Sequence, residues 1–125
     1  LSLSASTVSF ASADPDTTPS IAASEGALSI SAKGKTSTGS TITLSVLASD
    51  DLRSGSDTIA VSNITWTATG AGFAAGTLSR TVAQPVGSWT NSGSRTGTQA
   101  YALANSWTYP AGSYTTIATY TLTAP

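Results

Sequence analysis

Asn105 to Pro125 reads NSWTYPAGSYTTIATYTLTAP, and its Pro-Ala-Gly turn releases a run of strict two-residue alternation. Tyr114, Thr116, Ala118, Tyr120 and Leu122 fall on one face, and Ser113, Thr115, Ile117, Thr119 and Thr121 on the other. Successive side chains of a strand point to opposite sides, so such a run buries one row of rings and aliphatics while the other row meets water or a second layer. The stretch predicts a β-strand that closes a sheet, with the rest of the chain packed against it.

The same period recurs upstream in short pieces. Thr41–Ala48, TITLSVLA, is the cleanest interior strand, with Ile42, Leu44, Val46 and Ala48 directed inward. Ala27–Ala32 alternates through Leu28, Ile30 and Ala32, and Ile64–Thr69 through Ile64, Trp66 and Ala68. Thr58–Val61 reads as a further short strand. Thr77–Gln84 and Val86–Thr90 read as a strand pair interrupted by Pro85, a residue that sheets accept only at an edge, a bulge or a corner. Thr98–Leu103 returns toward the terminal strand.

Between these pieces lie Ser12–Gly26 with its Asp-Pro and Thr-Pro steps, the Lys33–Ser40 turn, the polar loop Ser49–Asp57, the glycine-rich Gly70–Gly76 with Phe73 as a plug, and the hairpin-type loop Asn91–Gly97. No window carries an apolar helical stripe, and β-branched residues prevail throughout. Short strands with turn signals roughly every ten residues predict an all-β fold, an antiparallel immunoglobulin-like sandwich of eight or nine strands with Greek-key connections. At 125 residues the chain fits one domain, 1–125.

At the other end, LSLSASTVSFA places Leu1, Leu3 and Ala5 in one phase and then slips by one, so that Val8 and Phe10 continue the apolar row. The slip at Ser6-Thr7 suggests a bulge or a strand that changes partner. Residues 1–11 read as a first strand of the chain's own sheet.

Charged residues are only 9% of the chain and the net charge is −1, which removes the basic field that nucleic acid or an anionic membrane would require. No apolar run reaches the length of about 18 residues of a membrane helix. A Ser/Thr/Ala/Gly surface of this kind is common on exported proteins, and Leu1 reads as a mature terminus left by a signal peptide. The expectation is a secreted, cell-surface protein.

There is no His, Cys or Met. Ser-His-Asp, Cys-His and His-rich metal arrangements are thereby excluded, and no cofactor is expected. Asp14, Asp16, Glu25, Asp50, Asp51 and Asp57 are the only carboxylates, all in expected loops and without the spacing of a glycosidase pair. Asp14 with Asp16, and Asp50-Asp51 with Asp57, offer oxygens of the type calcium accepts, yet no EF-hand pattern is present. Among the aromatics, Trp66 and Tyr120 sit in phase with aliphatic neighbours and read as core. Trp89, Trp107 and Tyr109 flank Gly, Ser and Pro and are the candidate exposed rings for stacking on sugars. Asn63-Ile64-Thr65 matches a glycosylation sequon.

The terminal phrase with Tyr109, Gly112, Tyr114, Tyr120 and Leu122 resembles the closing strand of bacterial surface and fimbria-like proteins related to the spore coat U family. That resemblance implies a secreted immunoglobulin-like domain that polymerises by donor-strand exchange, with Leu1, Leu3, Ala5, Val8 and Phe10 as the donated row. Many proteins of that kind carry a disulfide, which this chain lacks. The leading expectation is thus a non-enzymatic subunit of an extracellular bacterial filament or surface layer, a homopolymer. The alternative is a monomeric carbohydrate-binding module or adhesin domain using Trp89, Trp107 and Tyr109.

Overall fold

The longest strand of the computed structural model, which describes residues 1–125, is Gly93–Ala104. In chain order the strands are β1 (Ser2–Leu3), β2 (Ser20–Ala22), β3 (Leu28–Gly34), β4 (Thr41–Ala48), β5 (Leu52–Ser54), β6 (Asp57–Ile59), β7 (Ile64–Thr69), β8 (Gly76–Thr77), β9 (Gln84–Thr90), β10 (Gly93–Ala104) and β11 (Ala118–Thr123). A single 3₁₀ turn spans Val61–Asn63. Every strand pair is antiparallel.

β10 organises the larger sheet because both of its edges are used. One edge takes β3 along Gly93–Gln99 and then β2 along Ala102–Ala104, and the other takes β7. The order is β1-β3-β10-β7-β8, and a second sheet of order β11-β4-β9 packs across it. β3 to β4, β9 to β10 and β10 to β11 each change sheet, so sequence neighbours face one another across the core. This is an all-β sandwich.

The alternation in the sequence explains which faces meet. Ile42, Leu44, Val46 and Ala48 of β4 are 3%, 0%, 0% and 0% exposed, and they press on Leu28, Ile30 and Ala32 of β3 and Ile64 and Trp66 of β7. Trp66 stands opposite Tyr101 in the β7–β10 register, with the rings edge to face at 5.8 Å between centroids, the geometry aromatic quadrupoles favour. Pro85 falls where the sequence places it, at an irregularity: the β4–β9 register shifts between Leu44 and Ser45, and Ser45 faces Pro85.

Several expected boundaries move. There are eleven strands instead of eight or nine, because Ser12–Gly26 is not wholly a connection but carries β2, and Ser49–Asp57 is no open loop but carries β5 and the first residue of β6. Gly55 has φ +62 and leads a two-residue connection, the conformation that fits a tight hairpin. Thr77–Gln84 is largely irregular after β8. Asn91–Gly97 is not a loop beyond Ser92, since β10 begins at Gly93. The terminal run enters its sheet only at Ala118. Upstream of it, Thr115 exchanges main-chain hydrogen bonds with Arg53 of β5, 3.0 Å each way, so Tyr114–Ile117 is drawn off toward the hairpin.

Candidate functional site

β11 forms one lip of a groove also lined by Ile21 of β2, Leu28 of β3 and Leu103 of β10, and the N-terminal arm runs along it. Leu3, Ala5, Val8 and Phe10 are partly buried against the core, whereas Leu1 is 49% exposed. The slip in the sequence between Ala5 and Val8 is therefore real: the ladder ends after Ser2↔Ser31 and Leu3↔Ile30, and the arm continues as irregular extended chain with its apolar row still facing inward. Within the chain, Ser2 and Leu3 pair with β3 of the same sheet.

Beyond β1 the arm is held by few contacts. Ser4 N–H donates to Ser29 O at 2.9 Å, and Ser24 N–H to Ser9 O at 2.8 Å. The strongest clasp is Glu25, whose carboxylate accepts from Ser9 N–H at 2.6 Å and from the Ser9 hydroxyl at 2.5 Å. These bonds from Ser9, the hydroxyl's first and the amide's second, hold the Glu25 carboxyl below its ordinary range. Farther on, Asn105 Nδ2 donates to Ala13 O at 3.0 Å. No main-chain hydrogen bond joins the arm to β11.

β11 pairs with β4 on one edge only, and its outer N–H and C=O groups meet no main-chain partner. Its sequence, ATYTLT, contains no charge, no proline and no bulge, so it lacks the usual devices that blunt a sheet edge. By contrast, β9 at the far edge of the same sheet is covered: Ala74 N–H donates to Val86 O at 2.9 Å and Ser88 N–H to Gly72 O at 3.0 Å. Between arm and lip lies a groove of about 890 Å³, onto which Val8, Phe10, Tyr101, Leu103, Ala118 and Tyr120 open.

The wall of that groove includes a short polar chain. Tyr120 donates its hydroxyl to Gln99 Oε1 at 2.5 Å, and its oxygen lies 2.6 Å from the Tyr101 hydroxyl, which must then be the donor. Gln99 is fully buried, and its Nε2 has no partner. Burial raises both phenol pKa values, and for Tyr120 the neighbouring Tyr101 adds to the rise.

The three candidate sugar-stacking rings do not form a row. Trp89 is a correction: it is 7% exposed, its indole N–H donates to Ala71 O at 2.7 Å, and Phe73 stands edge-on at 4.9 Å. Its place is made by glycines, because a Cβ on Gly72 or Gly87 would overlap the indole. The signal was present in the sequence as a Gly two residues before the Trp and a Gly-Ala-Gly loop upstream. Tyr109 is half-buried and donates its hydroxyl to Ala104 O at 2.7 Å. Trp107 alone is open, at 69%, with its N–H directed to Asp16 Oδ1 at 3.2 Å.

Asp14, Asp16, Glu25, Asp50 and Asp51 are engaged with neighbours. Asp50 bonds Arg53 Nε at 2.5 Å and Arg80 bonds Asp51 at 3.4 Å, while Asp51 also accepts from Val61 N–H at 3.1 Å. The Arg53 bond is the main reason the Asp50 carboxyl is held below its usual range. Asp57 lies in β6 and not in a loop. No three acidic groups cluster as a metal site would require. Asn63 of the sequon spends its side-chain N–H on Ala60 O at 3.1 Å. No helix is long and apolar enough to cross a membrane. Compared with protein-family models, with curated proteins and with solved structures, the chain matched none.

Proposed function

We propose that the protein is a non-enzymatic subunit of an extracellular bacterial filament or surface layer, assembled when the N-terminal arm of one copy occupies the groove beside β11 of the next. One observation carries the reading. An arm with an apolar row, Leu3, Ala5, Val8 and Phe10, lies in a groove beside an unpaired, uncharged strand edge without forming a ladder on it.

A strand supplied by another copy and aligned with β11 gains main-chain hydrogen bonds that the arm does not make within its own chain, each worth about 0.5–1.5 kcal/mol net. The same apolar side chains fill the same groove in either case. Closing the arm on its own chain thus satisfies the core, and exchange satisfies the core and the edge together. The weak charge of arm and edge leaves nothing to repel a second copy.

The test is negative-stain electron microscopy of concentrated protein, intact and lacking Leu1–Phe10. Regular filaments that vanish with the arm are expected. Because the truncated chain can fail by unfolding, a second measurement separates the two outcomes: the chain has no cysteine, so Val8→Cys and Ala118→Cys proteins are mixed and oxidised. Mixed disulfide dimers above the level of either homodimer are expected. Filaments that form equally without the arm, or an absence of mixed dimers, overturn the reading.

A further inference from the structure

We propose that Trp107 and Asp16 form a carbohydrate subsite for a neutral hexopyranose, at the Trp107 border of the groove along which the arm runs. The contrast among the three tryptophans carries the argument. Trp66 and Trp89 are 2% and 7% exposed and give their indole N–H groups to the main-chain oxygens of Ala74 and Ala71. Trp107 is 69% exposed and gives its N–H to a side-chain carboxylate, Asp16, at 3.2 Å. A large apolar ring is thus fixed by its edge while its surface stays in water, at a cost in apolar hydration that burial elsewhere in the chain avoids.

The ring is also held in advance. Asn105 ties its loop to the Asp14–Thr18 turn, with Nδ2 donating to Ala13 O at 3.0 Å and Thr18 O at 3.1 Å and its own N–H to Pro19 O at 2.9 Å. The turn is closed by Thr17 N–H and Thr18 N–H on Asp14 O, and Asp16 N–H donates to Asp14 Oδ1 at 2.9 Å. Both members of the subsite sit on braced loops, so a ligand would meet little ordering cost.

The surrounding chemistry selects the ligand. An indole surface matches the C–H face of a pyranose. Asp16 uses Oδ1 on the indole and leaves Oδ2 to accept a sugar hydroxyl, and the Ser106 and Thr108 hydroxyls, 2.8 Å apart, flank Trp107 in the chain. No Lys or Arg pairs with Asp16. The carboxylate therefore repels sialic acid, uronates and sulfated sugars, and the class that remains is neutral.

The experiment is a nuclear magnetic resonance titration of the full chain, following the three indole N–H signals. The probes are cellohexaose, mannohexaose, chitohexaose and, as the acidic control, sialyllactose. At least one neutral oligosaccharide is expected to move the Trp107 signal and leave those of Trp66 and Trp89 in place. Trp107→Ala should weaken that binding about tenfold or more and Asp16→Asn severalfold, with the melting temperature unchanged in both. Because Trp107 also borders the arm's groove, filament formation by the two variants is read separately by electron microscopy, so that a loss of sugar binding is distinguished from a loss of assembly. The proposal fails if no neutral probe moves Trp107, if binding survives Trp107→Ala, if sialyllactose binds equally well, or if the signal moves only with protein concentration, as a contact between copies would make it.

Discussion

At the scale of single residues, the interior is decided by where polar atoms and glycines sit. Gln99 is the one fully buried polar side chain, and rotating its amide would only exchange an unpartnered N–H for an unpartnered oxygen. Replacing it by an apolar group of similar size removes that orphan but takes away the acceptor of the Tyr120 hydroxyl, exchanging an unpartnered N–H for an unpartnered O–H. Gln99→Leu should therefore leave stability roughly unchanged in urea unfolding. Tyr120→Phe leaves both amide atoms of Gln99 and the Tyr101 hydroxyl without partners, and should cost about 1–3 kcal/mol. The reverse order would show that the amide contributes something the bonds do not reveal. Glycines give a second pair of measurements. Gly72 (φ +82) and Gly39 (φ +84) share a left-handed backbone, but a Cβ at Gly39 meets nothing within 4 Å, whereas at Gly72 it strikes the Trp89 indole. Gly39→Ala should cost the backbone penalty alone, about 1–2 kcal/mol, and Gly72→Ala clearly more. Equal costs would mean that the Trp89 ring moves aside freely. Trp89 also marks a limit of reading by neighbours in sequence: flanking Gly and Ser suggested exposure, while in space those glycines are the room the ring needs.

At the scale of elements, legibility followed the source of each strand's stability. β4 was readable to the residue because it is central and buried on one face, so its period and its burial are the same signal. Thr77–Gln84 reads as a strand in the sequence, yet it is irregular between its ends, Thr77 of β8 and Gln84 of β9. Ser79 Oγ there accepts from Thr81 N–H and Val82 N–H, a local turn that competes with a ladder, and Arg80 is drawn to Asp51. The arm was legible as an apolar row with a slip, but not as to which copy it serves, because pairing within and between chains needs the same pattern. Its clasp was not legible at all: Glu25 lies 16 residues from Ser9. That clasp predicts a pH response. The Glu25 carboxyl is held below its ordinary value of 4.5 by the Ser9 bonds, so its contribution is complete above that value and is lost as pH falls through the lowered one. Hydrogen exchange at the Ser9 amide should accelerate across that acidic window while β4 amides stay protected. Glu25→Gln, which lacks the charge, should show fast exchange at Ser9 at neutral pH with no acid step. An arm that stays protected through the window would locate its hold elsewhere.

At the scale of the whole molecule, the groove beside β11 is the feature around which the proposed assembly turns, and it can be probed without filaments. Residues Leu1–Phe10 carry no charged side chain, and neither does β11. Affinity between them would rest on apolar burial and main-chain pairing, neither of which salt screens. A synthetic peptide of sequence LSLSASTVSF, added to a chain that begins at Ala11, should raise its melting temperature in a saturable way. The gain would approach about 2.7 kcal/mol at a hundredfold excess over the dissociation constant, and be the same at low and high ionic strength. A scrambled peptide of equal composition should do nothing, since register decides which side chains enter the groove. If the shortened chain does not fold alone, the yield of folded protein on dilution from denaturant replaces the melting temperature, and should rise only with the peptide in order. A salt-dependent gain would place the contact on the charged Asp50–Arg53–Arg80 surface instead. No gain at all would mean that the arm does not bind the groove when supplied by another molecule, and that any assembly runs through other surfaces.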